Sequence, residues 1–329
     1  MSYQAIVLKA YPEAHINQDT FEVVSRPEEP LKSDEFRIAV SHLSLDPAMR
    51  GWVSPDPNSY IPPVQIGEVM RAIGVGTVTE SNHPKFPVGA RVTGITGWTE
   101  QLLSNGTGMT VLPEGVSAEL ALSALGMPGM TAYIGYKDIL EAKPNQTIVV
   151  TGAAGAVGSV VVQMAVADGL NVVGVAGSDD KCDWLTQLGC QGVINYKTDN
   201  VAEKLLALTP NGVDLMFENT GGEVQHHVIE RINPHGRVAV CGLIADYHSA
   251  TPAPAPSWIN LIKRRARIEG FTITDHYHRG AEITQGLLGY LQQGKLEHKV
   301  HTLNGLESAI DGVNLLFSGA NTGKLIVEL

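Results

Sequence analysis

The 329-residue sequence predicts an α/β fold in which a doubly wound parallel-sheet domain is inserted in a β-rich domain. Three observations predict it. The first ~120 residues are short alternating or apolar runs separated by Pro, Gly, Asn and Asp, which is a β texture. From Thr147 onward, apolar runs alternate with amphipathic stretches, the rhythm of a parallel sheet with helices on both faces. The tail then changes again, to one amphipathic stretch and a last apolar run. The length itself exceeds what one compact core usually holds, so two domains are expected.

Taken in order, Ala5-Ile6-Val7-Leu8 and Phe36-Arg37-Ile38-Ala39-Val40 open the β-rich part, and residues 67–78 and 89–95 continue it. The texture changes after Leu112-Pro113. Thr147-Ile148-Val149-Val150-Thr151 is a β-branched strand, followed by a Gly-rich turn and a helix reaching Ala167. Strands are expected at 171–176, 192–195, 213–217 and 237–241, and helices at 179–188 and 201–208. Residues 305–318 read as one amphipathic helix and 324–329 as a final strand. The expected domains are residues 1–125 plus 299–329, and residues 126–298.

The formal net charge of −11 argues against a nucleic-acid or anionic-membrane surface, though a local basic pocket for a small phosphate remains open. Three cysteines, Cys182, Cys190 and Cys241, form no disulfide framework and suit a reducing cytoplasm. Residues 1–11 lack a signal pattern. The most apolar stretch, 157–175, is interrupted by Gln163, Asp168 and Asn171. It reads as a buried helix and strand, with no membrane span. Ala253-Pro254-Ala255-Pro256 is a short Pro-rich loop, and no internal repeat is present.

Thr151-Gly152-Ala153-Ala154-Gly155-Ala156-Val157-Gly158 lies between a predicted strand and a predicted helix, the context a dinucleotide fingerprint requires. Gly152 permits the tight turn, Gly155 lets backbone N–H groups approach a pyrophosphate, and Gly158 lets helix and strand pack closely. The helix N-terminus adds positive dipole. The alternative is a Gly/Ala-rich helix packed on a sheet. An NAD-type site places an acid ~20 residues past the glycines, on the ribose 2′-OH. Here Val172-Val173-Gly174-Val175-Ala176 ends in Gly177-Ser178, with no carboxylate. Ser178 can donate a hydrogen bond and Lys181 can offer an ammonium; Asp179 and Asp180 are expected to cap the next helix.

Segments along nearly the whole chain resemble the leukotriene B4 dehydrogenase/prostaglandin reductase branch of the medium-chain dehydrogenase/reductases. They include Leu43-Ser44-Leu45-Asp46-Pro47-Ala48-Met49-Arg50-Gly51, Gly126-Met127-Pro128-Gly129-Met130-Thr131-Ala132-Tyr133 and the Gly152 turn. Asn195-Tyr196-Lys197, Phe217-Glu218-Asn219-Thr220-Gly221-Gly222, Cys241-Gly242-Leu243-Ile244 and Gly319-Ala320-Asn321-Thr322-Gly323-Lys324 continue the match. The sequence is especially similar to bacterial NADPH-dependent curcumin reductases and plant double-bond reductases.

The resemblance implies a Rossmann-type NADP-binding domain inserted in a GroES-like β-rich domain. It implies that the turn residues Gly152, Ala154, Gly155, Ala156, Val157 and Gly158 receive the pyrophosphate of NADPH. Gly177, Ser178, Lys181 and Tyr196 would hold the 2′-phosphate, and Asn219 and Asn321 would contact the ribose or nicotinamide. Cys241, Gly242, Leu243, Ile244 and Phe271 would flank the nicotinamide. Tyr247 falls where the family often has a substrate-facing tyrosine, although His248 replaces the asparagine that usually follows. Tyr60 matches a tyrosine of curcumin-reductase-like members, and Ala48 replaces a larger residue, often Tyr.

Zinc-dependent relatives need a catalytic Cys/His/Glu set and a four-cysteine lobe, but no cysteine precedes Cys182 and Gly67-Glu68-Val69 stands where a Gly-His-Glu segment would. His226-His227 point apart on a helix, and His276 and His278 read as surface residues, so no metal site is expected. The expected activity is NADPH-dependent hydride transfer to the β-carbon of an α,β-unsaturated aldehyde or ketone, with Tyr247 or the cofactor ribose donating to the carbonyl oxygen. Alternatives are quinone reduction and a non-catalytic nucleotide-binding protein. A homodimer is the expected assembly.

Overall fold

The computed structural model describes residues 2–13, 15–247 and 254–329. His248, and Ala253 of the Pro-rich loop, lie outside the described residues. Contacts divide the chain into two compact units, Met1–Leu122 with Val300–Leu329, and Ser123–Lys299. The limits differ slightly from 125/126 and 298/299. Helix α2 (Ala118–Leu122, following the short α1 at Met49–Trp52) packs on the strands of the first unit, whereas the Ser123 carbonyl caps the next helix by accepting from Gly126 and Gly129.

In the first unit β1 (Ser2–Leu8) pairs antiparallel with β2 (Phe21–Pro27). A larger sheet is built on β3 (Phe36–Ser44) and β4 (Ile73–Ser81), with β5 (Arg91–Ile95), β6 (Gln101–Ser104) and β7 (Met109–Val111). Alternation turns Phe36, Ile38 and Val40 into the core, where Phe36 stacks on Phe86 with ring centroids 4.3 Å apart. The run 67–78 becomes a strand only from Ile73. A turn closed by Glu68 N–H on Gln65 O (3.0 Å), with Gly67 at φ +88°, holds its first residues out of the sheet.

In the second unit α3 (Met127–Ile134) continues into one π-helical turn, Gly135–Ile139. The alternation then follows: β8 (Thr147–Val150), α4 (Gly158–Ala167), β9 (Asn171–Ala176), α5 (Asp179–Gln187), β10 (Gly192–Asn195) and α6 (Val201–Leu208). It continues through β11 (Val213–Glu218), α7 (Gly222–Glu230), β12 (Ile232–Val240), α8 (Ile259–Arg264) and β13 (Arg267–Gly270), and a 3₁₀ segment leads to α9 (Gly280–Gln292). Every neighbouring pair is parallel, in the order β10-β9-β8-β11-β12-β13. The chain moves outward from β8 to β10, then returns to β11 on the other side of β8. The carboxyl ends of β8 and β11 therefore form the topological switch point, where open α/β sheets bind ligands.

The tail rejoins the first unit. Here β15 (Lys324–Glu328) lies antiparallel to β3, and β14 (Val300–Asn304) is parallel beside it. Lys324 is buried and donates to Leu45 O (2.5 Å) and to Asp46 Oδ1 (2.8 Å), while Ser44 Oγ donates to Asp46 Oδ2. Burial pulls the Lys324 ammonium below its usual value and Asp46 opposes that shift. Residues 305–318 form two short helices, α10 (Ser308–Gly312) and α11 (Asn314–Ser318), where one was expected. The ladder holds as far as Val313, whose N–H bonds to Ala309 O (3.1 Å), and breaks there, since Leu316 N–H reaches back only three residues to Val313. Among the described residues no helix is long and apolar enough to cross a membrane.

Candidate functional site

The Gly-rich turn follows β8, and α4 starts at its last glycine. Gly152 sits at φ +56°, in the left-handed region. A β-carbon on Gly158 would stand 2.3 Å from Gly152 O, and one on Gly155 would stand 3.2 Å from the same atom. The turn is thus wound too tightly for a side chain at Gly158. Ala153 N–H donates to Val175 O (3.0 Å) and ties the turn to β9, while Ala153 and Ala154 are buried beneath it. Ala156 and Val157 are half-buried at the start of α4.

The end of β9 carries the second group. The Tyr196 ring lies against Gly177, since a β-carbon there would be 2.8 Å from the phenol oxygen. Lys181 is one turn into α5; burial first, and then the Lys197 ammonium, pull it below its ordinary value. Lys197 therefore belongs to this cluster, although it was not singled out from the sequence. No carboxylate ends the strand. The expected capping by Asp179 and Asp180 is corrected: Ser178 occupies the N-cap position, and Asp179 Oδ1 accepts from Asn195 Nδ2 (2.7 Å) within the first turn.

The third group spans the switch point. Glu218, the last residue of β11, is fully buried and its Oε1 accepts from Thr151 Oγ1 (2.5 Å), Thr220 N (2.6 Å) and Gly221 N (3.0 Å). Asn219 donates from N to Thr151 Oγ1 (2.8 Å) and from Nδ2 to Thr151 O (2.7 Å). Backbone bonds then hang residues 241–245 from this turn. Cys241 N and Gly242 N donate to Glu218 O, Ile244 N to Asn219 O, and Ala245 N to Thr220 O. Leu243 lies beside Gly221, and the Tyr247 hydroxyl lies over Gly242, 3.1 Å from where a β-carbon would stand. Burial and the Glu218 charge push the Cys241 thiol up to about 12.

Phe271 meets Phe217 edge-on, centroids 6.2 Å apart, and both rings crowd the place a β-carbon on Gly135 would need. Tyr60 and Asn321 belong to the other unit. Tyr60 is exposed, and Asn321 is buried with Nδ2 donating to Gly323 O (3.1 Å). The second unit thus brings together the Gly152 turn, the Ser178–Lys181–Tyr196 group and the Asn219–Leu243–Tyr247 group along one sheet edge. Thr151 and Glu218, which join the last group to the turn, were not picked out as functional from the sequence. Among the described residues no three His, Cys, Asp or Glu side chains gather as metal ligands, and His227 lies near Glu223 and Glu230.

Residues 4–112 match the family described as the N-terminal domain of oxidoreductase, and residues 156–287 match the family described as zinc-binding dehydrogenase. The chain is 38% identical over 298 residues to the NADPH-dependent curcumin reductase of Escherichia coli (strain K12), covering 88% of this chain and 86% of that protein. It is 33% identical over 334 residues to a 2-alkenal reductase (NADP(+)-dependent) of Nicotiana tabacum, covering 99% and 97%. The crystal structure of CurA from Vibrio vulnificus in complex with NADPH superimposes with a TM-score of 0.92 at 37% identity, covering 99% of this chain and 98% of that one.

Proposed function

The chain belongs to the zinc-independent medium-chain dehydrogenase/reductases, in the leukotriene B4 dehydrogenase/prostaglandin reductase branch, and from that premise we propose that it is an NADPH-dependent reductase of the carbon–carbon double bond in α,β-unsaturated aldehydes or ketones. The observation that carries this reading is one end of the parallel sheet, on which a Gly/Ala turn with no room for a side chain at Gly158 lies between Lys181, with Lys197 near it, and the Tyr247 hydroxyl. The turn fits a pyrophosphate, because Gly152 at φ +56° and the close packing at Gly158 wind it tightly into the start of α4, where backbone N–H groups can meet an anion. The end of β9 fits a 2′-phosphate, because Lys181 and Lys197 lie close enough to feel each other's charge and the strand end carries no acid.

In this reading Ser178, Lys181 and Tyr196 hold the 2′-phosphate, and Asn219 and Leu243 meet the nicotinamide end. Bound there, NADPH supplies a hydride to the β-carbon of the acceptor. As the carbon takes the hydride, negative charge collects on the carbonyl oxygen. Tyr247 donates a hydrogen bond to that oxygen, and the bond strengthens as charge builds, favouring the transition state over the ground state. A proton taken from solvent at the α-carbon completes the reduction. Cys241, with its thiol pushed up to about 12, stays protonated near neutrality and takes no nucleophilic part.

The working form is a cytoplasmic homodimer. Among the described residues the strand β13 pairs only with β12, and its Arg267 and Glu269, an ion pair 3.2 Å apart, would meet Glu269 and Arg267 of an antiparallel second copy. Trp258, Ile259 and Ile262 are exposed beside it. The activity is tested by following NADPH and NADH oxidation with an enone, with a quinone and with neither. Enone-dependent NADPH oxidation supports the reading. Oxidation with the quinone alone would replace it with quinone reduction, and none with either would leave a nucleotide-binding protein.

A further inference from the structure

A carboxylate inside a protein needs a cation or several hydrogen-bond donors. In the first unit Asp46 has the Lys324 ammonium. Glu218 is equally enclosed, yet no ion pair reaches it among the described residues. Its donors all converge on Oε1, and Oε2 is buried without a partner. The group is therefore used as one focused acceptor, and its placement matters: it bridges the carboxyl ends of β8 and β11, the two sides of the switch point.

The bridge fixes directions. The Thr151 hydroxyl has one proton, and giving it to Glu218 leaves the oxygen turned toward Asn219 N–H. Asn219 Nδ2 is held on Thr151 O, so its Oδ1 is the end left to meet a ligand's donor. The same carboxylate accepts from Gly221 N–H at the left-handed turn, φ +77°, and the carbonyls of residues 218–220 carry the segment that ends at Tyr247. We propose that Glu218 is a positioning residue. Through the Thr151 hydroxyl and the 219–221 turn, it sets the side-chain direction of Asn219 and the placement of the 241–247 segment, and so orders the nicotinamide half of the site while leaving the phosphate half alone. The proposal rests on the cofactor reading above.

The test compares two ligands that share the phosphate half only. Dissociation constants for NADPH and for 2′,5′-ADP, which lacks the nicotinamide half, are measured by fluorescence titration, with Tm and steady-state kcat on an enone alongside. The variants are Glu218→Met, Glu218→Gln, Thr151→Val, Thr151→Ser, and Glu218→Met with Thr151→Val. Glu218→Met and Thr151→Val should each weaken NADPH about tenfold and lower kcat about tenfold, with 2′,5′-ADP held within about twofold. Glu218→Gln and Thr151→Ser keep the acceptor and the hydroxyl, and should stay within about threefold of the parent. The double variant should be no worse than the poorer single one, because both remove the same link.

Equal loss of both ligands with a fall in Tm would overturn the proposal in favour of a general folding role. Unchanged NADPH affinity and kcat in Thr151→Val would overturn it too, as would Glu218→Gln failing like Glu218→Met, which would assign the effect to charge. A parent enzyme that binds NADPH but reduces no enone would sink the enone reading, while the affinity split would still decide the role of Glu218.

Discussion

The two ends of one sheet edge solve opposite problems. At β9 and β10 the chain gathers like charges, Lys181 beside Lys197, in a half-exposed position with Tyr196 folded onto Gly177. At β8 and β11 it buries a single negative charge, Glu218, and surrounds it with N–H and O–H groups. The first arrangement sets two ammonium groups near each other, which suits an anion. The second gathers its donors on one carboxylate oxygen, Oε1, so it gives direction. On the proposed reading, charge would handle the end of a dinucleotide that does not react, and hydrogen-bond geometry the end that does.

The largest expected effect comes from breaking what the two ends share. In Gly158→Val, the β-carbon would meet the backbone at Gly152 O at 2.3 Å, and no flexible side chain can yield there. NADPH binding should be lost at both ends alike, by more than about a hundredfold in Kd, read by fluorescence titration. Loss confined to one end would show that the turn does not couple them.

The next variant isolates the reacting end. Tyr247→Phe should lower kcat on the best enone about tenfold to a hundredfold and leave the NADPH dissociation constant within about twofold. Tyr60→Phe should do less. If Tyr60→Phe carries the loss and Tyr247→Phe carries none, the donor assignment is wrong.

The third variant isolates the other end. Lys181→Ala should weaken NADPH about tenfold to a hundredfold, the scale of a charge-assisted bond, and hardly change NADH or kcat. Added salt should weaken NADPH more than NADH. Lys181 sits below its ordinary value because of burial and Lys197. As pH rises through that lowered value the ammonium is lost, so the preference for NADPH should fall toward NADH as pH rises. Equal loss of both cofactors in Lys181→Ala would remove it from the phosphate site.

The sequence made the inserted sheet legible because the signals were local. A β-branched run, a Gly turn and an apolar helix stand consecutively from Thr147 to Ala167, and the missing acid after Ala176 can be read directly. What escaped is what folding brings together from a distance. Lys197 joins Lys181 only because β10 pairs with β9. Glu218 looks like an ordinary acid until Thr151, 67 residues earlier, is placed beside it. Helix α9 was obscured by its glycines, and Gly286 is there because a β-carbon would strike the Tyr133 ring at 2.4 Å. The single helix expected over 305–318 is interrupted at Val313, between α10 and α11, where a period of apolar residues could not report a broken ladder.

The central claim, hydride delivery to a carbon–carbon double bond, is tested most directly by isotope position. NADPH carrying deuterium at C4 of the nicotinamide, in separate preparations for each face, is incubated with the enzyme and an enone, and the product is examined by NMR. The account predicts deuterium on the carbon β to an intact carbonyl, from one of the two preparations. Deuterium on the carbonyl carbon of an alcohol, or none in the product from either preparation, would contradict it.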